Sequence, residues 1–230
     1  MQVASWLRDR EKLAGAAARS TTETRNALAA ALYLDGQYED AEKQFRTALA
    51  SARQLAPTGD AMVASILNGL GDSLSQLGAD PEAESAYREA LGIDQRLFGP
   101  DSLESAQTLQ GLASTLYFAG RYQDAEPLMT RSLAIRRSKL GPDHWKVADS
   151  LNDLGALYYQ TGRYDLAAKI WKECLPISEK WAGKDHPEVA SVANNIGRSL
   201  LIGGKPDEAE PYFTQTLDMR RRTKPPGHDD

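Results

Sequence analysis

The chain has 230 residues, 41% hydrophobic and 26% charged, with a formal net charge of -5. That apolar content suffices for a continuous core in one domain or one short repeat array, and the acidic balance disfavours a phosphate backbone, so no nucleic-acid partner is expected. A single cysteine, Cys174, excludes an intrachain disulfide, charges interrupt the N-terminal run so that no signal peptide is read, and no stretch approaches the roughly 18 apolar residues of a membrane span; the expected location is cytoplasmic, with no membrane partner.

Taken in chain order, residues 1–19 read as the second helix of a partial repeat, because Trp6, Leu7 and Gly15 share the register of the downstream periods. Five full periods then run over 20–59, 60–101, 102–143, 144–185 and 186–223, with 224–230 as a tail. Their marker is a glycine every 42 residues: Gly36, Gly78, Gly120, Gly162 and Gly204. Five residues after it stands alanine (Ala41, Ala83, Ala125, Ala167, Ala209), and nine after it a large apolar residue (Phe45, Tyr87, Met129, Trp171, Phe213). Leucine follows at Leu49, Leu91, Leu133, Leu175 and Leu217. Eight before the glycine come Leu28, Leu70, Leu112, Leu154 and Ile196, and seven before it only Ala29, Gly71, Ala113, Gly155 and Gly197.

Each period predicts two helices. Ala41, Phe45, Ala48 and Leu49 share one helical face. The marker glycine closes the first helix in a left-handed turn. Asp80 is expected to cap the next helix, with Pro81 in its first turn. Gly99, Gly141 and Gly183 are expected to end second helices, and Asp101 or Ser102 to cap the next first helix. The small residues seven before the marker predict a close approach of two helix backbones, with the second-helix alanines opposite. Arg220, Arg221 and Arg222 suit the last turn of a helix, where cations favour the dipole.

The runs G-Q-Y-E-D-A-E, G-R-Y-Q-D-A-E and G-K-P-D-E-A-E, and the stretch from Ala125 to Tyr164, resemble the tetratricopeptide repeat in the 42-residue form of kinesin light chains and their relatives. The resemblance spans roughly residues 20 to 223, with departures at Asp80-Pro81 and Ala168. It implies an all-α fold, an α-α superhelix built as a right-handed solenoid of antiparallel helix pairs. It also implies a scaffold that binds a peptide or helix of another protein, not an enzyme.

Positions ten, six and three before the marker share a face of the first helix that is distinct from the core face. They read Asn26, Ala30, Tyr33; Asn68, Asp72, Ser75; Gln110, Ser114, Tyr117; Asn152, Ala156, Tyr159; Asn194, Arg198, Leu201. An amide in every period suits neither a core face nor a plainly solvated one. Amides can pair with the main chain of an extended peptide, and tyrosines offer area with a polar tip. The resemblance assigns main-chain recognition in a concave groove to Asn26, Asn68, Asn152 and Asn194, with Gln110 as a longer variant; bonding of these amides to neighbouring helices is the alternative. Glu23, Asp72, Asp149 and Asp153 against Arg198 point to a neutral or mildly basic ligand.

Reactive constellations are absent from the sequence: there is no phosphate loop, dinucleotide fingerprint or zinc motif, so neither cofactor nor metal is expected. His144 and His186 stand one period apart and read as structural, with capping the favoured role. Cys174 fills a slot otherwise held by Ala48, Ala90, Ser132 and Thr216, a small core position. Trp145 and Trp181 flank the loop at 182–186 and are expected to pack between repeats, with a ligand contact as the lesser alternative. The two rival roles are a regulatory module of a larger enzyme or signalling protein, and self-association through the array ends.

Overall fold

The computed structural model describes the backbone of residues 2–223 and the side chains of 14–223. The side chains of Trp6 and Leu7, and the tail 224–230, lie outside the described residues. Ten helices are described: α1 (Gln2–Leu34), α2 (Tyr38–Leu55), α3 (Ala61–Gln76), α4 (Asp80–Phe98), α5 (Leu103–Phe118), α6 (Tyr122–Leu140), α7 (Trp145–Gln160), α8 (Tyr164–Ala182), α9 (Pro187–Ile202) and α10 (Pro206–Thr223). They fall into two compact units, Met1–Gly120 with α1–α5 and Arg121–Asp230 with α6–α10. Within each unit every helix packs on the next, and in the first unit α3 also packs on α1 and α5.

The marker glycines turn the chain as the sequence predicts. Gly36, Gly78, Gly120, Gly162 and Gly204 have φ between 73° and 80°, a region that penalises any residue with a Cβ. The N–H of the following residue reaches back five positions: Gln37 donates to the Leu32 carbonyl at 2.9 Å and Lys205 to Leu200 at 2.8 Å. That bond satisfies a carbonyl the helix end leaves open. Gly99, Gly141 and Gly183 end α4, α6 and α8.

Caps begin the first helices. Asp60 accepts from the N–H groups of Met62 and Val63 at 3.0 and 3.1 Å, and Ser102 from that of Ser105 at 3.1 Å. His144 and His186 cap α7 and α9, each accepting on Nδ1 from the N–H two residues on. Asp80 departs from expectation: it is the first helical residue of α4, and Ala79 takes the cap position without a side-chain bond. Gly15 departs further, because α1 runs unbroken through it. Its successors explain why. Gly99 is followed by Pro-Asp-Ser, which punctuates, whereas Gly15 is followed by three alanines and Arg19. An interior glycine alone costs only about 1 kcal/mol, too little to break a helix that strong formers continue.

The core follows the repeat. Ala41, Ala83, Ala125 and Ala167 are fully buried, and Phe45, Tyr87, Met129 and Trp171 nearly so. The outermost hairpins differ: Leu28 is 51% exposed and Leu217 54%, whereas their equivalents Leu70 and Leu133 are buried. A hairpin covered on one side only leaves part of its apolar face bare.

The small residues of the first helices serve a different contact from the one expected. A Cβ at Gly71 would lie 2.8 Å from the Tyr87 ring, at Gly155 2.7 Å from the Trp171 ring, and at Gly197 2.8 Å from the Phe213 ring. Rings, not second-helix main chain, fill the space that glycine vacates. Gly69 and Gly111 repeat the device, backing Phe45 and the other side of Tyr87.

Candidate functional site

In the first unit the amide-bearing face opens onto a cavity of about 450 Å³. Asn26 and Ala30 of α1 and Asn68 and Asp72 of α3 line it, joined by Asp94 and Phe98 of α4 and Glu104 of α5. No lysine, arginine or histidine is among the lining residues. One residue per helical turn on adjacent first helices is what brings the sidewalls together.

The polar groups around this cavity differ in how far they are committed. Asn68 donates from Nδ2 to Thr108 Oγ1 at 2.9 Å, and Thr108 donates to Asp94 Oδ2 at 2.6 Å. The Oδ1 of Asn68 is buried and accepts no hydrogen bond. Asp72 accepts a short hydrogen bond from the Tyr87 hydroxyl. Burial holds the Asp72 carboxyl above the ordinary carboxylate value, and the Tyr87 bond only partly offsets it. Burial likewise raises Asp94, against the bond from Thr108. Asn26 is half-buried and has no hydrogen-bond partner among the described residues.

The remaining strip residues of this unit are not among those that line the cavity. Ser75 shares a hydrogen bond with Thr115 at 2.7 Å. Tyr33 packs on Tyr38 with ring centroids 5.5 Å apart, and burial, then Asp72, raises its phenol. Tyr117 meets Phe118 edge to face at 5.3 Å. Gln110 and Ser114 are half-buried on α5.

In the second unit, Asn152 accepts from Trp171 Nε1 at 2.9 Å, so its carbonyl oxygen serves the hairpin. Tyr159 accepts from Arg198 at 2.9 Å, and the guanidinium also lies 5.1 Å from its ring centroid. Asn194 is half-buried with no hydrogen-bond partner among the described residues, and Leu201 is 51% exposed. The amides of one register therefore divide: Asn68 and Asn152 hold neighbouring side chains, and Asn26 and Asn194 do not.

Sequence reasoning missed Asp94, Phe98 and Glu104. The signal was a carboxylate in a slot that reads Ala52, Arg136, Ser178 and Arg220 in the other periods. Its counterpart one period on, Arg136, is also buried, donating to Ser150 Oγ at 2.7 Å. Trp145 and Trp181 are 45% and 54% exposed, with His144 stacked on Trp145 and tilted against Trp181. Cys174 is fully buried, its Sγ 3.3 Å from the Ala148 carbonyl, and burial pushes its thiol up to about 11, far from thiolate chemistry at neutral pH. Among the described residues no three side chains are placed to hold a metal ion, and no helix is long and apolar enough to cross a membrane.

Comparison with known proteins places this geometry. The family model described as Tetratricopeptide repeat matches residues 19–95, 62–138 and 146–222, and a second of the same description matches 111–173. No curated protein sequence matches the chain. Among solved structures it is similar to a Podosopora anserina protein with nearly identical kinesin light chain TPR-like repeats. There the TM-score is 0.77 at 18% identity, over 89% of this chain and 97% of that one. It is similar to BtubC (BKLC) from P. vanneervenii with a TM-score of 0.76 at 20% identity, over 94% of both chains. The third, pilF of Pseudomonas aeruginosa, has a TM-score of 0.65 at 18% identity, over 88% of this chain and 78% of that one. At these identities the likeness establishes the fold, ten helices in antiparallel pairs of the repeat's α-α superhelix class.

Proposed function

This chain belongs to the tetratricopeptide repeat family, and on that premise we propose that its first helices hold an extended segment of a partner protein that carries a lysine or arginine. Repeats of this family are in general protein–protein interaction modules. The observation that carries the finer reading is the first unit's cavity, walled by Asn26, Asn68, Asp72, Asp94 and Glu104 and by no basic residue. Carboxylates held above their ordinary range by burial gain from an incoming cation, which offsets the desolvation they already bear. Asn26 offers a free donor and acceptor to a passing main chain. The walls are helical and packed before a ligand arrives, so little ordering entropy falls on the receptor side.

In the second unit, Asn194 is the matching open amide, and Arg198 is already engaged by Tyr159. A peptide array probed with the full chain is expected to return neutral and lysine- or arginine-bearing segments. Recovery of strongly acidic segments alone would reject the reading.

A further inference from the structure

A second cavity, of about 310 Å³, opens in the second unit away from the amide strip. Its lining includes Trp145 at the start of α7, Asp149 one turn on, Ser178 and Trp181 near the end of α8, and His186 and Glu188 at the start of α9. The two indoles are held in place. His144 lies between them, with ring centroids 5.7 Å from Trp145 and 5.5 Å from Trp181. Trp181 Nε1 donates to the Asp143 carbonyl at 2.5 Å. Both rings nevertheless remain about half exposed.

The repeat itself does not require this lining. The position of Trp145 is held by Ala61, Leu103 and Pro187 in the other periods, and that of Trp181 by Leu55, Leu97, Lys139 and Thr223. Asp149 stands where Glu23, Ser65, Gln107 and Ser191 stand. One period alone combines two tryptophans with a carboxylate on facing elements. Asp149 is half-buried, and neither it nor the Glu188 side chain makes a hydrogen bond or ion pair among the described residues. Arg136, a buried cation, donates to Ser150 and the Lys146 carbonyl, both neutral, and acts on Asp149 through space without bonding it. Burial, only partly offset by Arg136, holds the Asp149 carboxyl above its ordinary value.

We propose that this cavity binds a methylated ammonium group, with the faces of Trp145 and Trp181 as walls and Asp149 and Glu188 as counter-charges. An alkylated ammonium suits such a site better than a bare one. It hydrates weakly, carries its charge on methyl groups that fit against indole, and needs no hydrogen-bond acceptor. Lys146 Nζ lies 5.5 Å from the Trp145 centroid, an intramolecular cation that an incoming ammonium would displace. A volume near the lower end of ordinary ligand sites matches a small head group. The group can come from a trimethylated lysine of a partner or from a free choline-type molecule, and the two sources are separable by experiment.

Calorimetric titration of the full chain tests the proposal. The probes are choline, its uncharged isostere 3,3-dimethylbutan-1-ol, and a short peptide with lysine or trimethyllysine at one position. Saturable binding of choline or the trimethyllysine peptide is expected, about ten-fold or more tighter than the isostere and the unmodified peptide. Preference for the peptide over choline marks a protein source, and equal affinity a small-molecule one. Trp181→Leu, the residue that Leu55 and Leu97 show the repeat tolerates, and Asp149→Asn should each weaken binding by about ten-fold without moving the thermal melt. Absence of saturation with both charged probes, equal binding of the neutral isostere, or unchanged affinity in Trp181→Leu would overturn it.

Discussion

Asn152 and Asn26 occupy the same register and have different roles. Asn152 accepts the indole N–H of Trp171, a ring only 3% exposed. Asn152→Ala leaves that donor buried without an acceptor, which costs about 1–3 kcal/mol; chemical denaturation should show the loss directly. Asn26 has no such duty, and Asn26→Ala should move stability by no more than about 0.5 kcal/mol while weakening the peptide. Asp94 gives a pH signature. Its carboxyl is raised by burial in the folded chain, so the folded state holds the proton more tightly than the unfolded one. Its contribution to stability is full below the unfolded value of about 3.9 and is lost as pH rises through the raised folded value. Asp94→Asn keeps an acceptor for Thr108 and should flatten that part of the melting-temperature profile, leaving the neutral-pH chain as stable or more so. A profile unchanged by the substitution would contradict the assignment.

At the scale of helices, the glycines separate two costs. Gly155 faces Trp171, and a Cβ there would sit 2.7 Å from ring atoms. Gly155→Ala should therefore destabilise by about 1–3 kcal/mol despite the better helix propensity of alanine. Gly92, inside α4, has nothing within 4 Å of an added Cβ, so Gly92→Ala should stabilise by about 0.5–1 kcal/mol. Paired melts of the two variants measure the difference. This is also where sequence reading stopped short. The period told that a small residue is needed at Gly71, Gly155 and Gly197, because spacing exposes a missing side chain. It could not tell whether backbone or ring fills the gap, because Tyr87, Trp171 and Phe213 meet those glycines only through tertiary packing. The cap at Ser102 and the turn at Gly36 were legible because their chemistry is local. The continuity of α1 through Gly15 was not, because the register of the repeat favoured a break where alanines on the far side continue the helix.

For the whole molecule, the charges sort by helix type within each unit. Arg46 pairs with Glu82 at 2.6 Å and Arg53 with Glu89 at 2.7 Å, linking α2 to α4. Lys172 pairs with Glu208 and Arg137 with Glu173 among α6, α8 and α10. These pairs are exposed and each contributes about 0–1 kcal/mol, so they decorate the second helices more than they hold them. Asp72 of α3, Asp94 of α4 and Glu104 of α5 line the cavity without an ion pair among the described residues, and that asymmetry underlies the reading of a cationic partner. The amide strip was legible from periodicity alone, but not which amides are spent. Asn68 and Thr108 lie 40 residues apart, and Asn152 reaches Trp171 only once the hairpin closes. The most direct measurement is fluorescence anisotropy of a labelled array-selected peptide against the full chain and an Asn26→Ala/Glu104→Gln double variant. The account predicts that the variant melts with the parent, binds at least about ten-fold more weakly, and that replacing the peptide's lysine or arginine with glutamate abolishes binding. Equal affinity of the two proteins, or tighter binding of the glutamate peptide, would contradict it.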